Sequence, residues 1–346
     1  MFLLVAEGAG LYAALQHPGF DGTILGKLAV QFTHHPWNGL RFWDLVQPYF
    51  MFIVGVAMPF AIGKRRERGD RELDIFQHVL FRSFMLLLLG VLLHCAYSNK
   101  LVWELWNVLA QLSFTYLVAY LIMGKSPKTQ IVFTVALLVL TETLYRVWWV
   151  PGFDQAFVKD HNFGSYMDMV LMGKLNAGGG WVAINCVPTA AHTIWGVLAG
   201  MVLRGNKAAL DKIKYLAVPG LIMVVAGYAL DPITPIIKRI CTSSFVIVSG
   251  GWCLLTLALF YWLIDVKGIR RWAKFAIIVG MNSIFIYLFS NTIGPRWLNG
   301  FVSIFTEGFL SWTGVAIVAL LTALVSLAIH WYLCYWLYKR KLLIKI

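Results

Sequence analysis

The sequence predicts an all-α polytopic integral membrane protein with about ten transmembrane helices and both termini in the cytoplasm. Three observations carry this expectation. Hydrophobic residues make up 60% of the 346-residue chain against 13% charged, and mean hydropathy is +0.73, well above the apolar share of ordinary soluble domains. Apolar stretches near the length needed to cross a bilayer recur along the chain. Basic residues are distributed unevenly among the segments that join them, as the positive-inside bias requires.

The ten stretches are residues 1 to 16, 43 to 63, 75 to 96, 106 to 124, 131 to 149, 180 to 203, 215 to 230, 243 to 265, 275 to 291 and 312 to 338. The first has no basic lead and carries Glu7 within its apolar run, so it reads as a shortened helix and not as a cleaved signal peptide. The second opens on Asp44, the third carries His78 and Arg82, and the fifth carries Glu142 and Arg146. His192 lies in the sixth and His330 near the end of the last. Segments 64–74, 125–130, 204–214, 266–274 and 339–346 hold 19 of the 29 Lys and Arg residues, which assigns them to the cytoplasm. Loops 17–42, 97–105, 150–179, 231–242 and 292–311 then face outward. The longest, 150–179, ends in the stretch leading to GGGW and could cap a site from that side. No loop is long enough for a soluble domain, so residues 1–346 read as a single transmembrane domain without an internal repeat.

A net charge of +13 would suggest a nucleic-acid partner in a soluble chain. Here topology accounts for it, and the lipid bilayer is the expected partner. Five cysteines lack CxxC spacing and sit mostly in apolar runs, so neither zinc nor an obligatory disulfide is expected. Tryptophans at span ends, such as Trp103, Trp106, Trp148, Trp149 and Trp181, read first as an interfacial belt. No Walker loop, GxSxG or HExxH motif is present, and His34 and His35 have no third ligand at metal-site spacing.

Intramembrane ionisable groups are costly, by about 2.5 to 3.5 kcal/mol each even on lenient scales, and so need a reason. His78 and Arg82 share a helix face one turn from the cytoplasmic boundary, where they could hold an entering phosphate. Arg82 could equally snorkel or pair with a carboxylate. Glu142 and Arg146, spaced i, i+4, are expected to neutralise each other. His192 and His330 are expected to be satisfied interior histidines. Asp44 follows His34 by ten residues, and a carboxylate near an imidazole fixes its tautomer and raises its basicity.

The stretch THHPWNGLRFWDLVQPYFMFIVGVAMPF, residues 33–60, resembles a block of the heparan-α-glucosaminide N-acetyltransferase family and its bacterial relatives. In that block a histidine stands three residues before a tryptophan, followed by a small polar pair and D-L-V-x-P-x-F-x-F-I-x-G. The matching positions are His34, Trp37, Asn38, Gly39, Asp44, Leu45, Val46, Pro48, Phe50, Phe52, Ile53 and Gly55. Further similar blocks follow in order: FRSFMLLLLG (81–90), VLAQLSFTY (108–116), GVLAG (196–200), KRICTSSFVIVSGG (238–251), IDVKG (264–268), GMNSIFIY (280–287) and YKRKLLIKI (338–346). Two departures accompany them. The family's arginine in V-L-Q-R is replaced by Gln111. The chain also opens at what corresponds to the middle of the family's first helix, so either its natural start lies upstream or span one is short.

The resemblance implies a transmembrane acetyltransferase that takes acetyl from cytoplasmic acetyl-CoA and delivers it to an amino sugar or sugar hydroxyl on the outer side. It implies His34 as nucleophile or general base, Asp44 as its electrostatic support, and Glu7 at the family's polar position in the first helix. Donor contacts would fall on Arg82, His78, Gln111, Asn282 and Ser283, and saccharide contacts on Trp37, Asn38 and Lys238. Whether acetyl passes through His34 covalently or directly to the acceptor stays open, with Asn38, Asn282 or Ser283 as oxyanion donors in the direct route. The bacterial relatives point to an inner membrane, and enzymes of this kind are often homodimers. The alternative is a sugar permease that keeps the scaffold without acyl transfer.

Overall fold

Bilayer hydrocarbon offers the backbone no hydrogen-bond partner, so apolar segments that cross it must satisfy their own amides as helices. The computed structural model describes residues 1–344, and its regular structure is helical throughout those residues. The helices in chain order are α1 (Phe2–Gly8), α2 (Leu11–Leu15), α3 (Ile24–Ala29), α4 (Val46–Glu67), α5 (Glu72–Ser98), α6 (Val108–Met123), α7 (Pro127–Val147) and α8 (Phe163–Met172). They continue as α9 (Cys186–Arg204), α10 (Ala209–Leu230), α11 (Ser243–Phe260), α12 (Ala273–Met281), α13 (Ser283–Asn291), α14 (Asn299–Leu310) and α15 (Val315–Lys339). Lys345 and Ile346, the last residues of YKRKLLIKI, lie outside the described residues.

Among the described residues, seven helices, those beginning with α4, α5, α7, α9, α10, α11 and α15, are long and apolar enough to cross a membrane. The count becomes eight if α12 and α13, bent by 80° at Asn282, form one span. The protein is therefore a polytopic integral membrane protein. The ten expected stretches differ from these helices in specific ways. The first divides into α1 and α2 at Gly10, whose φ of +80° is left-handed and breaks the α-helix. The fourth is only 16 residues long as α6. Loops assigned from polarity contain structure: α8 in 150–179, α3 in 17–42 and α14 in 292–311.

The chain forms two compact units. The central unit comprises His35–Leu40 and Asp44–Val266. The hydropathic windows of α4 and α9 are each 61% buried, against 17 to 28% for α5, α7 and α10, so these two helices form its middle. Their backbones cross closely because small residues face each other. A Cβ on Gly55 would lie 1.9 Å from the Thr193 carbonyl oxygen, and one on Gly196 would lie 2.1 Å from that of Phe52. Gly200 meets Val56 in the same way one turn on, so the GVLAG motif is the packing face of α9. Met58, Ile75, Val79 and Ile194 fill the space on one side of this crossing, and Phe52, Leu216 and Cys253 on another.

Helix starts follow capping chemistry. Asn107 accepts the Leu109 and Ala110 amides at 3.0 Å each, and Asn162 accepts that of Ser165 at 3.1 Å. Ser126 caps α7 ahead of Pro127 at the first helical position. The terminal unit comprises Met1–His34, Arg41–Trp43 and Lys267 onward. Here α1 packs on α13, where a Cβ on Gly8 would meet the Ser290 carbonyl at 2.3 Å. Val5, Ile278, Ile286 and Cys334 form its core.

Candidate active site

In the central unit the predicted site residues gather around the lead-in to α4. Asp44 is 1% exposed and Lys238 6%. One Asp44 carboxylate oxygen accepts the His35 amide at 3.2 Å, and the other lies 3.9 Å from the Lys238 ammonium. Buried charges persist only when paired and hydrogen-bonded, which this carboxylate is. The Lys238 ammonium also stands 5.0 Å from the Trp181 ring centre, and the Arg239 guanidinium 5.7 Å from the same ring. Arg239 reaches the Gly179 carbonyl. Burial lowers its pKa, against the opposing influence of Asp44 and Asp160. Two cations thus approach one indole ring beside a buried carboxylate.

Glycine shapes the rest of this wall. Gly179 and Gly180 have φ of +137° and +76°, and a Cβ on Gly180 would lie 2.7 Å from Lys159 and 3.2 Å from the Trp37 ring. Trp37 donates its indole N–H to the Phe157 carbonyl at 2.8 Å, which fixes the ring. The Gly39 amide donates to the Ile236 carbonyl at 2.8 Å, tying the 35–40 loop to the Lys238 segment. Asn38 is solvent-exposed on that loop. Below Asp44, Gln47 and Gln111 form a buried amide pair across α4 and α6. Gln111 is therefore occupied by a neighbouring side chain.

Between α5 and α6, the Arg82 guanidinium lies 4.7 Å from the Tyr116 ring centre, a cation–π contact. Its Nε is buried without a hydrogen-bond partner among the described residues. His78 is one turn away on α5. A separate cavity of about 270 Å³ is lined by Pro59, Gly63, Arg66, Glu67, Met123, Met201 and Arg204. Arg66 is bound to Glu72 at 2.6 Å, and Arg204 donates to the Pro59 carbonyl at 3.1 Å and to Glu67.

In the terminal unit, the His34 ring centre lies 6.4 Å from that of Trp43, and the His34 carbonyl accepts from Arg41 at 3.1 Å. Tyr12 stacks on Phe32 at 4.7 Å and meets Trp43 edge-on at 5.0 Å, which pins the His34 segment to α2. Glu7 is exposed on α1. Asn282 uses its amide on the chain end, donating to the Leu342 carbonyl at 3.1 Å and accepting the Ile344 amide at 2.9 Å. Ser283 begins α13 beside it. This placement assigns Asn282 to bracing the α12–α13 break.

Several participants were not singled out as site residues in the sequence. Trp181 reads there as interfacial, and its role follows from the cations above it. Asp168 gives no signal because its segment reads in the sequence as a loop of mixed composition, whereas it stands on α8. It is 1% exposed and accepts the Ala183 amide at 2.8 Å and the Trp106 indole N–H at 2.7 Å. Burial pushes its pKa up to about 7 despite these donors. Arg146 binds Glu142 at 2.7 Å, as their spacing predicts. The two interior histidines are only half satisfied: His192 Nε2 meets the Ser249 hydroxyl at 2.9 Å and His330 Nδ1 the Ser326 carbonyl at 2.7 Å, whereas His192 Nδ1 and His330 Nε2 are buried without a hydrogen-bond partner among the described residues.

No family model matches the chain. Among curated proteins it is similar to heparan-alpha-glucosaminide N-acetyltransferase of Mus musculus, 24% identical over 326 residues, which cover 74% of this chain and 48% of that protein. The human protein of the same name is 32% identical over 94 residues, covering 25% of this chain and 14% of that protein. The chain spans about half the length of the mouse relative or less. These matches support a distant family relationship.

Proposed function

We propose that this chain is a membrane-embedded acetyltransferase that carries acetyl from cytoplasmic acetyl-CoA to an amino sugar or sugar hydroxyl on the outer side of a bacterial inner membrane. The observation that carries this reading is the buried Asp44–Lys238 pair, with the Lys238 ammonium against the Trp181 ring and Asp44 in the block at 33–60 by which the chain resembles its relatives. An acyl transfer needs fixed groups of this kind, because charge develops and must be met.

His34 is the acyl acceptor or the base. In the covalent route its imidazole nitrogen attacks the thioester carbonyl, the C–S bond breaks, and the thiolate leaves with the nucleotide on the cytoplasmic side. The acceptor amine or hydroxyl then attacks the acyl-imidazole, and its proton passes to the imidazole. In the direct route His34 takes that proton while the acceptor attacks the thioester, and the C–S bond breaks to release the same thiolate. Asp44 tunes the electrostatics of the segment, and Trp37 and Asn38 offer an aromatic face and an amide to a sugar ring. Arg82, whose Nε has no hydrogen-bond partner among the described residues, supplies positive charge for the donor's phosphates.

The test is reconstitution into liposomes with acetyl-labelled donor on one side and glucosamine on the other. Transfer should require acetyl-CoA and disappear in His34→Ala, while the variant keeps the wild-type elution profile. Flux of unmodified sugar independent of acetyl-CoA would instead establish the permease.

A further inference from the structure

The terminal unit contains a cleft of about 790 Å³ between α2, α14 and α15, within the range of small-molecule sites. None of its lining residues belongs to the transfer chemistry proposed above. Its apolar walls are alanines and valines, among them Ala13, Val318 and Ala319. The lining contains no Phe, Tyr or Trp and no Lys or Arg. Its polar groups are mostly acceptors. Glu307 presents a carboxylate that forms no ion pair among the described residues. Asn299 donates its amide N–H to the Gly8 carbonyl at 2.9 Å, while its Oδ1 is buried and without a partner among the described residues. The Ser303 hydroxyl spends its proton on the Gly300 carbonyl at 2.9 Å, leaving lone pairs. His17 accepts the Gly19 amide on Nδ1 at 3.1 Å, so a neutral ring carries its hydrogen on Nε2.

An orphaned buried carbonyl oxygen and an uncompensated carboxylate both call for a donor-rich, positively charged partner. The absence of a cation from the lining disfavours phosphate or carboxylate ligands. Without an aromatic platform, the cleft suits an aliphatic ligand better than a sugar ring. We propose that this cleft binds a protonated primary amine on an aliphatic chain, with Glu307 as its counter-ion and Asn299 Oδ1 as a second acceptor. The amine could belong to a free amino alcohol or to a lipid headgroup. Gly10, left-handed at φ +80°, keeps a side chain away from Asn299, whose amide nitrogen lies 4.0 Å from where its Cβ would stand. Gly300 has open space at its Cβ position, so a larger side chain there fills the cleft without a backbone collision.

The experiment uses the full chain in phosphatidylcholine nanodiscs with radiolabelled 6-amino-1-hexanol as probe. Wild type should bind it saturably, and 1,6-hexanediol should not compete. Glu307→Gln, an exposed change that leaves packing intact, should weaken binding at least tenfold, and Gly300→Leu should do the same with an unchanged melting temperature. Replacing part of the phosphatidylcholine by phosphatidylethanolamine identifies the source. Loss of probe affinity assigns the cleft to a lipid amine, and unchanged affinity assigns it to a soluble one. Absence of saturable binding, equal affinity in wild type and Glu307→Gln, or competition by the diol would overturn the proposal. Because the readout is binding, none of these outcomes depends on acetyl transfer.

Discussion

At the scale of single residues, the molecule concentrates its electrostatic risk at a few buried groups. The Asp44–Lys238 pair is held by burial and geometry, so removing one partner should cost about 3 to 5 kcal/mol. Lys238→Ala should therefore melt well below wild type in detergent, and adding Asp44→Asn to it should recover part of the loss. His34→Ala should reduce transfer by at least 10²-fold, the usual scale for a lost acid–base group, without that fall in melting temperature. Asp168 gives a pH dependence with a definite sign. Its folded pKa of about 7 lies above the ordinary 3.8, so its contribution to stability is full below pH 3.8 and falls away as pH rises to about 7. The loss is at most about 4 kcal/mol. Melting curves between pH 4 and 8 should show this slope in wild type and a flatter one in Asp168→Asn. The variant should start lower, because an amide offers one acceptor oxygen to the two donors at Ala183 and Trp106.

At the scale of elements, close backbone approach and helix breaks decide the arrangement. The α4–α9 crossing depends on Gly55 and Gly196, where a Cβ would overlap a carbonyl oxygen. Gly196→Leu should destabilise by about 3 kcal/mol or more, because overpacking must separate two central helices. The expected readout is loss of monodisperse protein on size exclusion, whereas leucine at Gly124, which has nothing within 4 Å, should be tolerated. The break at Asn282 is equally specific, since its side chain bonds the backbone of Leu342 and Ile344 at both ends. In the sequence this asparagine reads as an oxyanion donor because its neighbours match a family block. Only the folded chain end reveals its other use.

At the scale of the whole molecule, orientation follows charge. The basic segments between spans predict cytoplasmic termini, and a reporter fused after residue 344 should be protected from external protease while one inserted at Gly152 is cut. Gly152 stands at φ +87° in an open turn with nothing near its Cβ, so it accepts an insertion. The amphipathic α14 shows where hydropathy misleads. Its Phe301, Ile304, Phe305 and Phe309 are exposed while Val302 and Thr306 are buried, so its mixed sequence averages to a loop.

The sequence by itself determined the class of the protein, because a bilayer imposes long apolar runs and internally bonded helices residue by residue, without reference to partners. It also marked the segment from His34 to Asp44, since polar groups beside an apolar helix stand out locally. Tertiary structure alone decided what those groups meet. Lys238, Trp181 and Gln111 come to the α4 region from distant parts of the chain, and no local pattern encodes such a meeting. The division of the first stretch at Gly10, the 80° bend at Asn282 and the cleft beneath Glu307 arise for the same reason. Each depends on packing between helices that one-dimensional hydropathy does not record.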